Sequence, residues 1–116
     1  AINKLDWELH HRYNNFVQAV NFFKKKKKNN KCFRYYDYEE MHQHVFINNI
    51  YYRMVEYHLT QDEGDYKEFK IYFNPSYDVI TIGIEDDFKI LYSMSNERIE
   101  NGQLNVFGVS MVVCAR

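Results

Sequence analysis

The sequence is short of the residues that punctuate or staple a chain: it has four glycines, one proline and two cysteines in 116 residues. So little Gly and Pro predicts long elements with short connections. Cys32 and Cys114 are too few for a disulfide scaffold and lack CxxC spacing; they could pair only if the fold brings them together, and they read as two half-buried thiols in a reducing compartment. No apolar run approaches the roughly 18 residues of a membrane span, so a membrane partner is not expected. The segment from Ala1 to Asp6 lacks the apolar core of a secretory leader, and a cytoplasmic protein is the expectation.

Signatures of common chemistries are missing too. Gly64, Gly83, Gly102 and Gly108 are scattered, so there is no glycine-rich phosphate cradle. No GxSxG elbow surrounds Ser76, Ser93, Ser95 or Ser110. Of five histidines, His10 and His11 stand about 100° apart on a helix and His42 and His44 about 200° apart, so neither pair can chelate. On one continuous helix, His44 and His58 would be about 21 Å apart. No metal and no cofactor is therefore expected. Asp62 to Asp65 lacks the spaced oxygen ligands of a calcium loop. Cys32 has Arg34 and several lysines nearby, which would favour a thiolate, but nothing else marks it as a nucleophile.

What is abundant is aromatic: eleven Tyr, nine Phe and one Trp. These rings bury large areas while Tyr keeps a polar tip. Leu5, Leu9, Tyr13, Phe16, Val20 and Phe23 form one helical stripe, and a helix is predicted from about Leu5 to Lys28, with Asn3 as its cap. Asp37, with Glu40 three residues on, predicts the start of a second helix. Met41, Val45, Tyr52, Val55 and Leu59, and beside them Phe46, Ile50, Met54 and Tyr57, extend it to a stop at Gly64. Beyond Gly64 the apolar period becomes two, at Phe69–Ile71–Phe73, Ile80–Ile82–Ile84 and Phe88–Ile90–Tyr92–Met94. A fourth strand from Leu104 to Val113 is apolar on both faces. The expected fold is α+β, with two N-terminal helices packed on a four-stranded antiparallel meander, in one domain over residues 1–116.

Net charge is −1, but it is unevenly divided. Residues 1–58 carry ten Lys/Arg against six Asp/Glu and residues 59–116 carry five against ten, and such a field steers partners. A binding protein without catalysis is the expectation, for instance an immunity or antitoxin component capping a basic toxin. Its candidate contacts are the acidic turns Asp62, Glu63, Asp65 and Glu85, Asp86, Asp87, and the second sheet face with Tyr72, Phe107, Val109 and Met111. The C-terminal strand could also pair two copies of the chain. The alternative is a nucleic-acid-handling protein. Lys24, Lys25, Lys26, Lys27, Lys28, Lys31 and Arg34, interleaved with Phe22, Phe23, Phe33, Tyr35 and Tyr36, could neutralise phosphates and stack bases. A ribonuclease would need an acid–base pair on the sheet, and the strands expected here hold Glu68, Lys70 and Glu85 with no histidine after His58.

Overall fold

A computed structural model describes residues 4–35, 37–50 and 54–116, and the side chains of residue 14 and of 17 onward within them. The chain runs as helix α1 (Lys4–Lys27), a 3-10 turn at Lys31–Phe33, helix α2 (Tyr38–His44), then eight strands. These are β1 (Val45–Ile50), β2 (Met54–Thr60), β3 (Glu68–Asn74), β4 (Ile80–Gly83), β5 (Lys89–Ser93), β6 (Ile99–Glu100), β7 (Gln103–Val106) and β8 (Ser110–Ala115). They form two antiparallel sheets, ordered β1-β2-β3-β8-β5 and β4-β7-β6. The expected pair of helices on a four-stranded meander is thus corrected to a mostly β architecture of five and three strands.

The second helix is far shorter than the apolar spacing predicts. It opens as expected, with the Asp37 side chain accepting from the Glu39 amide at 2.8 Å, and stops after seven residues. From Val45 the chain pairs with itself, Val45 opposite Leu59 through to Ile50 opposite Met54. A spacing of four keeps residues on one face of a helix, but because four is even it keeps them on one face of a strand as well. Phe46, Ile50 and Met54, or Val55 and Leu59, therefore could not discriminate. The β-branched Val45, Ile47, Ile50, Val55 and Thr60 resist helix and favour the pleat. Tyr52 lies outside the described residues, as do Asn3 and Tyr36.

The segment Leu104–Val113 is two strands in two sheets. β7 is the central strand of the small sheet, and β8 is held between β3 and β5 in the large one. The break falls at Phe107–Gly108–Val109, where Val109 has φ 49° and its amide donates to the Ser76 carbonyl at 2.8 Å. A Cβ on Gly108 would sit 2.5 Å from the Tyr77 carbonyl oxygen, so only glycine fits there. Both faces of β8 are apolar because both are covered by the chain itself. Val112 and Cys114 face the small sheet with Met54, Tyr72 and Leu104. Val113 and Ala115 face the helical side with Phe69, Leu59 and Cys32.

Asn74 pins the corner where the sheets meet. It is fully buried, and its amide donates to the carbonyls of Asp78, Val106 and Phe107 at 2.7, 3.0 and 3.1 Å. Its carbonyl oxygen accepts from the Ser76 amide at 3.0 Å and from the Ser76 hydroxyl at 2.7 Å. On the helical side, Phe22 stacks on Tyr92 with centroids 5.2 Å apart, and Phe33 leans on Phe69 at 4.8 Å. No helix among the described residues is long and apolar enough to cross a membrane.

Candidate binding surface

The small sheet packs against β3 and β8, and on the same face of the large sheet Met54 and Glu56 of β2 are buried, while Phe46 and Asn48 of β1 are exposed. The pairing register lines up two rows across that face: Asn48–Glu56–Tyr72–Val112, and Phe46–His58–Lys70–Cys114. Each row sinks into the inter-sheet core at its β8 end and emerges at its β1 end, where Phe46 is 42% exposed. The result is a shelf with one aromatic ring at its open edge and polar groups behind it.

Those polar groups are held in place. His58 Nε2 lies 2.7 Å from Glu68 Oε1, and Arg116 Nε donates to Glu68 Oε2 at 3.0 Å. Arg116 Nη1 in turn donates to Asp87 at 2.9 Å, and its guanidinium lies over the Phe88 ring at 4.5 Å. Lys70 caps the same ring at 5.0 Å and pairs with Glu85 at 3.5 Å. Asn48 Nδ2 donates to Glu56 at 3.1 Å. The Tyr72 hydroxyl also bonds Glu56, and burial first and this carboxylate second push the hydroxyl's pKa far up. Phe46 packs on His58 with centroids 5.9 Å apart. Fixed side chains lose little freedom when a ligand arrives.

The strand placement of His58 supplies what the sequence reading lacked, a histidine on the sheet beside a carboxylate and a guanidinium. The signal was legible in the period-two run from Met54 to Thr60. His44 and His58 are not far apart along one helix either, for His44 Nδ1 lies 3.0 Å from Thr60 Oγ1, two residues from His58. Glu68 does not have the character of a general acid. Burial raises the Glu68 pKa, but the hydrogen bonds from Arg116 and His58 outweigh it and hold the carboxyl below its ordinary value. A general acid needs the opposite shift.

The sign of the resulting pH dependence follows. A carboxyl with a depressed folded pKa stabilises the fold above its unfolded pKa, and that contribution is lost as pH falls through the folded value. Glu68→Gln should therefore be less stable than the parent at neutral pH. The gap in urea midpoint should close as pH is lowered from about 5 towards about 3; a gap that stays constant would separate Glu68 from the acid limb.

The other candidate residues are distributed as follows. Both acidic turns open at one end of the large sheet, where Glu68 and Lys89 flank the Ala115 end of β8. Asp62, Glu63, Asp65 and Asp86 are exposed there, while Glu85 and Asp87 are engaged by Lys70 and Arg116. Tyr72 is 1% exposed, which corrects its place on an open face: the small sheet covers it. Phe107 and Val109 are partly exposed at the sheet-to-sheet break, and Met111 is half-buried on the outer face. Lys24, Lys25, Lys27, Lys28, Lys31 and Arg34 are exposed and Lys26 is half-buried. Among the described residues the ion pair of this tract is Lys31–Glu40 at 3.4 Å. His42 stacks on Tyr38, and the side chains of His10 and His11 lie outside the described residues. Burial pushes the Cys32 thiol up to about 12, against a smaller opposing backbone hydrogen bond, so it is no activated nucleophile.

No protein-family model matches the chain, and no curated protein matches it. Solved structures do. A pullulanase from Paenibacillus barengoltzii complexed with maltotriose superposes on 98% of this chain and 19% of its own, with a TM-score of 0.71 and 20% identity. The pullulanase from Bacillus acidopullulyticus covers 99% of this chain and 15% of its own, with a TM-score of 0.69 and 13% identity. One from Anoxybacillus sp. LM18-11, complexed with maltotetraose, covers 77% of this chain and 13% of its own, with a TM-score of 0.66 and 14% identity. The chain thus spans less than a fifth of the length of these proteins. At such identities the likeness is one of fold.

Proposed function

We propose that this chain is a non-catalytic β-sandwich module of a larger α-glucan-acting protein, and that the shelf around Phe46 is its sugar-contacting surface. Fold alone assigns no function, so the shelf carries the reading. A pyranose presents a C–H face to the electron-rich face of a ring and hydroxyls to fixed donors and acceptors. Phe46 supplies the ring. Asn48 and His58 supply polar groups already oriented from behind, Asn48 by the buried Glu56 and His58 by Glu68. The whole-length superposition on a segment of two pullulanases supports an accessory place in a longer enzyme. A basic toxin docking on the acidic turns has less support, because Glu85 and Asp87 already hold cations of the chain itself.

Affinity electrophoresis in gels containing pullulan, with maltotetraose titration calorimetry beside it, tests this. The parent chain should be retarded, and Phe46→Ala should weaken binding about tenfold. No retardation of the parent would overturn the glucan reading, and equal retardation of both would remove the shelf from it.

A further inference from the structure

On the opposite side of the large sheet, α1 does not close over the outer face. Two adjoining hollows share Val20 and Phe23 of α1. One, about 310 Å³, is walled by Phe73, Met94 and Met111. The other, about 350 Å³, is floored by Phe33 and edged by Lys24 and Lys27. Together they make an apolar trough that is basic at one end only. From Ala19 to Lys27 it follows α1 for about 12 Å, a little over two helical turns.

We propose that this trough receives an acidic amphipathic helix from a partner protein. Three observations select that occupant. Apolar anchors repeating every three to four residues are what fills a straight groove beside a helix. Met94 and Met111 give walls that can repack around such anchors. The single sign of charge at the mouth then chooses among helices. Lys24 and Lys27 are three apart on one face, and among the described residues neither has an ion pair. Glutamates flanking the anchors would complete the pairing. A phosphate backbone would meet the lysines but leave the apolar hollows empty. This inference stands apart from the sugar-binding shelf, which lies on the other face of the sheet.

The test uses the full chain and a labelled helix-forming peptide of about 14 residues, with leucines at i, i+3 and i+7 and glutamates beside them. Its control is the same peptide with lysines for glutamates. The acidic peptide should bind saturably in fluorescence anisotropy, more weakly as salt rises, and the basic one at least about tenfold less well. The double change Lys24→Glu and Lys27→Glu touches exposed side chains and should reverse that order without altering the melting curve. Phe23→Ala should weaken both peptides. Equal binding of the two peptides, no saturable binding, or an order unaffected by the charge reversal would overturn the proposal. So would preference for vesicles of phosphatidylglycerol, which would make the trough a lipid-docking face.

Discussion

Asn74→Asp is expected to destabilise the domain by about 4 kcal/mol, lowering the thermal midpoint by roughly 15 °C. The wild-type amide donates to three carbonyls from two separate segments while its oxygen holds Ser76. Aspartate keeps the acceptor and loses every donor. At neutral pH it also sets a carboxylate against three carbonyl oxygens in a fully buried site. Asn74→Ala should be nearly as damaging, since each stranded buried carbonyl or amide costs about 1–3 kcal/mol. The two can be told apart by acidification, because protonation returns one donor to the Asp variant and nothing to the Ala variant. Urea denaturation of the three proteins at two pH values measures this. Midpoints within about 0.5 kcal/mol of the parent, the range of ordinary surface changes, would mean that the corner is held by something else.

Tyr72→Ala should cost about 3–5 kcal/mol, as large aromatic truncations in packed cores do. The ring sits in the inter-sheet core beside Met54, Leu104 and Val112, so its removal leaves a cavity there. Tyr72→Phe separates the packing from the hydroxyl. It should cost about 1 kcal/mol by removing the bond to Glu56, and it should loosen the Asn48–Glu56 pair on the shelf, which pullulan retardation would register as weaker binding. Were Tyr72 a surface contact, the alanine variant would unfold with the parent. Denaturation curves of the two variants decide between these outcomes.

Local chemistry was legible in the sequence wherever it acts alone. The α1 stripe, the Asp37 cap and the period-two runs that became β3, β4 and β5 follow from residues a few positions apart. Apart from one run, what was hidden depends on residues far apart in the chain. The run from Val45 to Leu59 has spacings of four that a helix and a strand share, and its β-branched content and the alternation of Val55, Tyr57 and Leu59 with Glu56, His58 and Thr60 separate the two. The two-faced apolarity of Leu104–Val113 is plain in the sequence, but the break at Gly108 is visible only against Tyr77, thirty-one residues upstream. The shelf was hidden for the same reason. Phe46, His58, Glu68 and Arg116 come from three strands and the C-terminal residue, and no motif joins them. Placing residues 45–60 as a hairpin would have put His58 beside β3.

Cys32 and Cys114 belong to different apolar clusters, on opposite sides of the five-stranded sheet. A sulfur–sulfur bond between them would have to pass through a hydrogen-bonded layer, so neither can serve the other as a partner while the domain is folded. Forming that bond would require the sheet to open, so the native architecture does not depend on an intramolecular disulfide. The same fold is available to this polypeptide in a glutathione-rich interior or in an oxygenated medium.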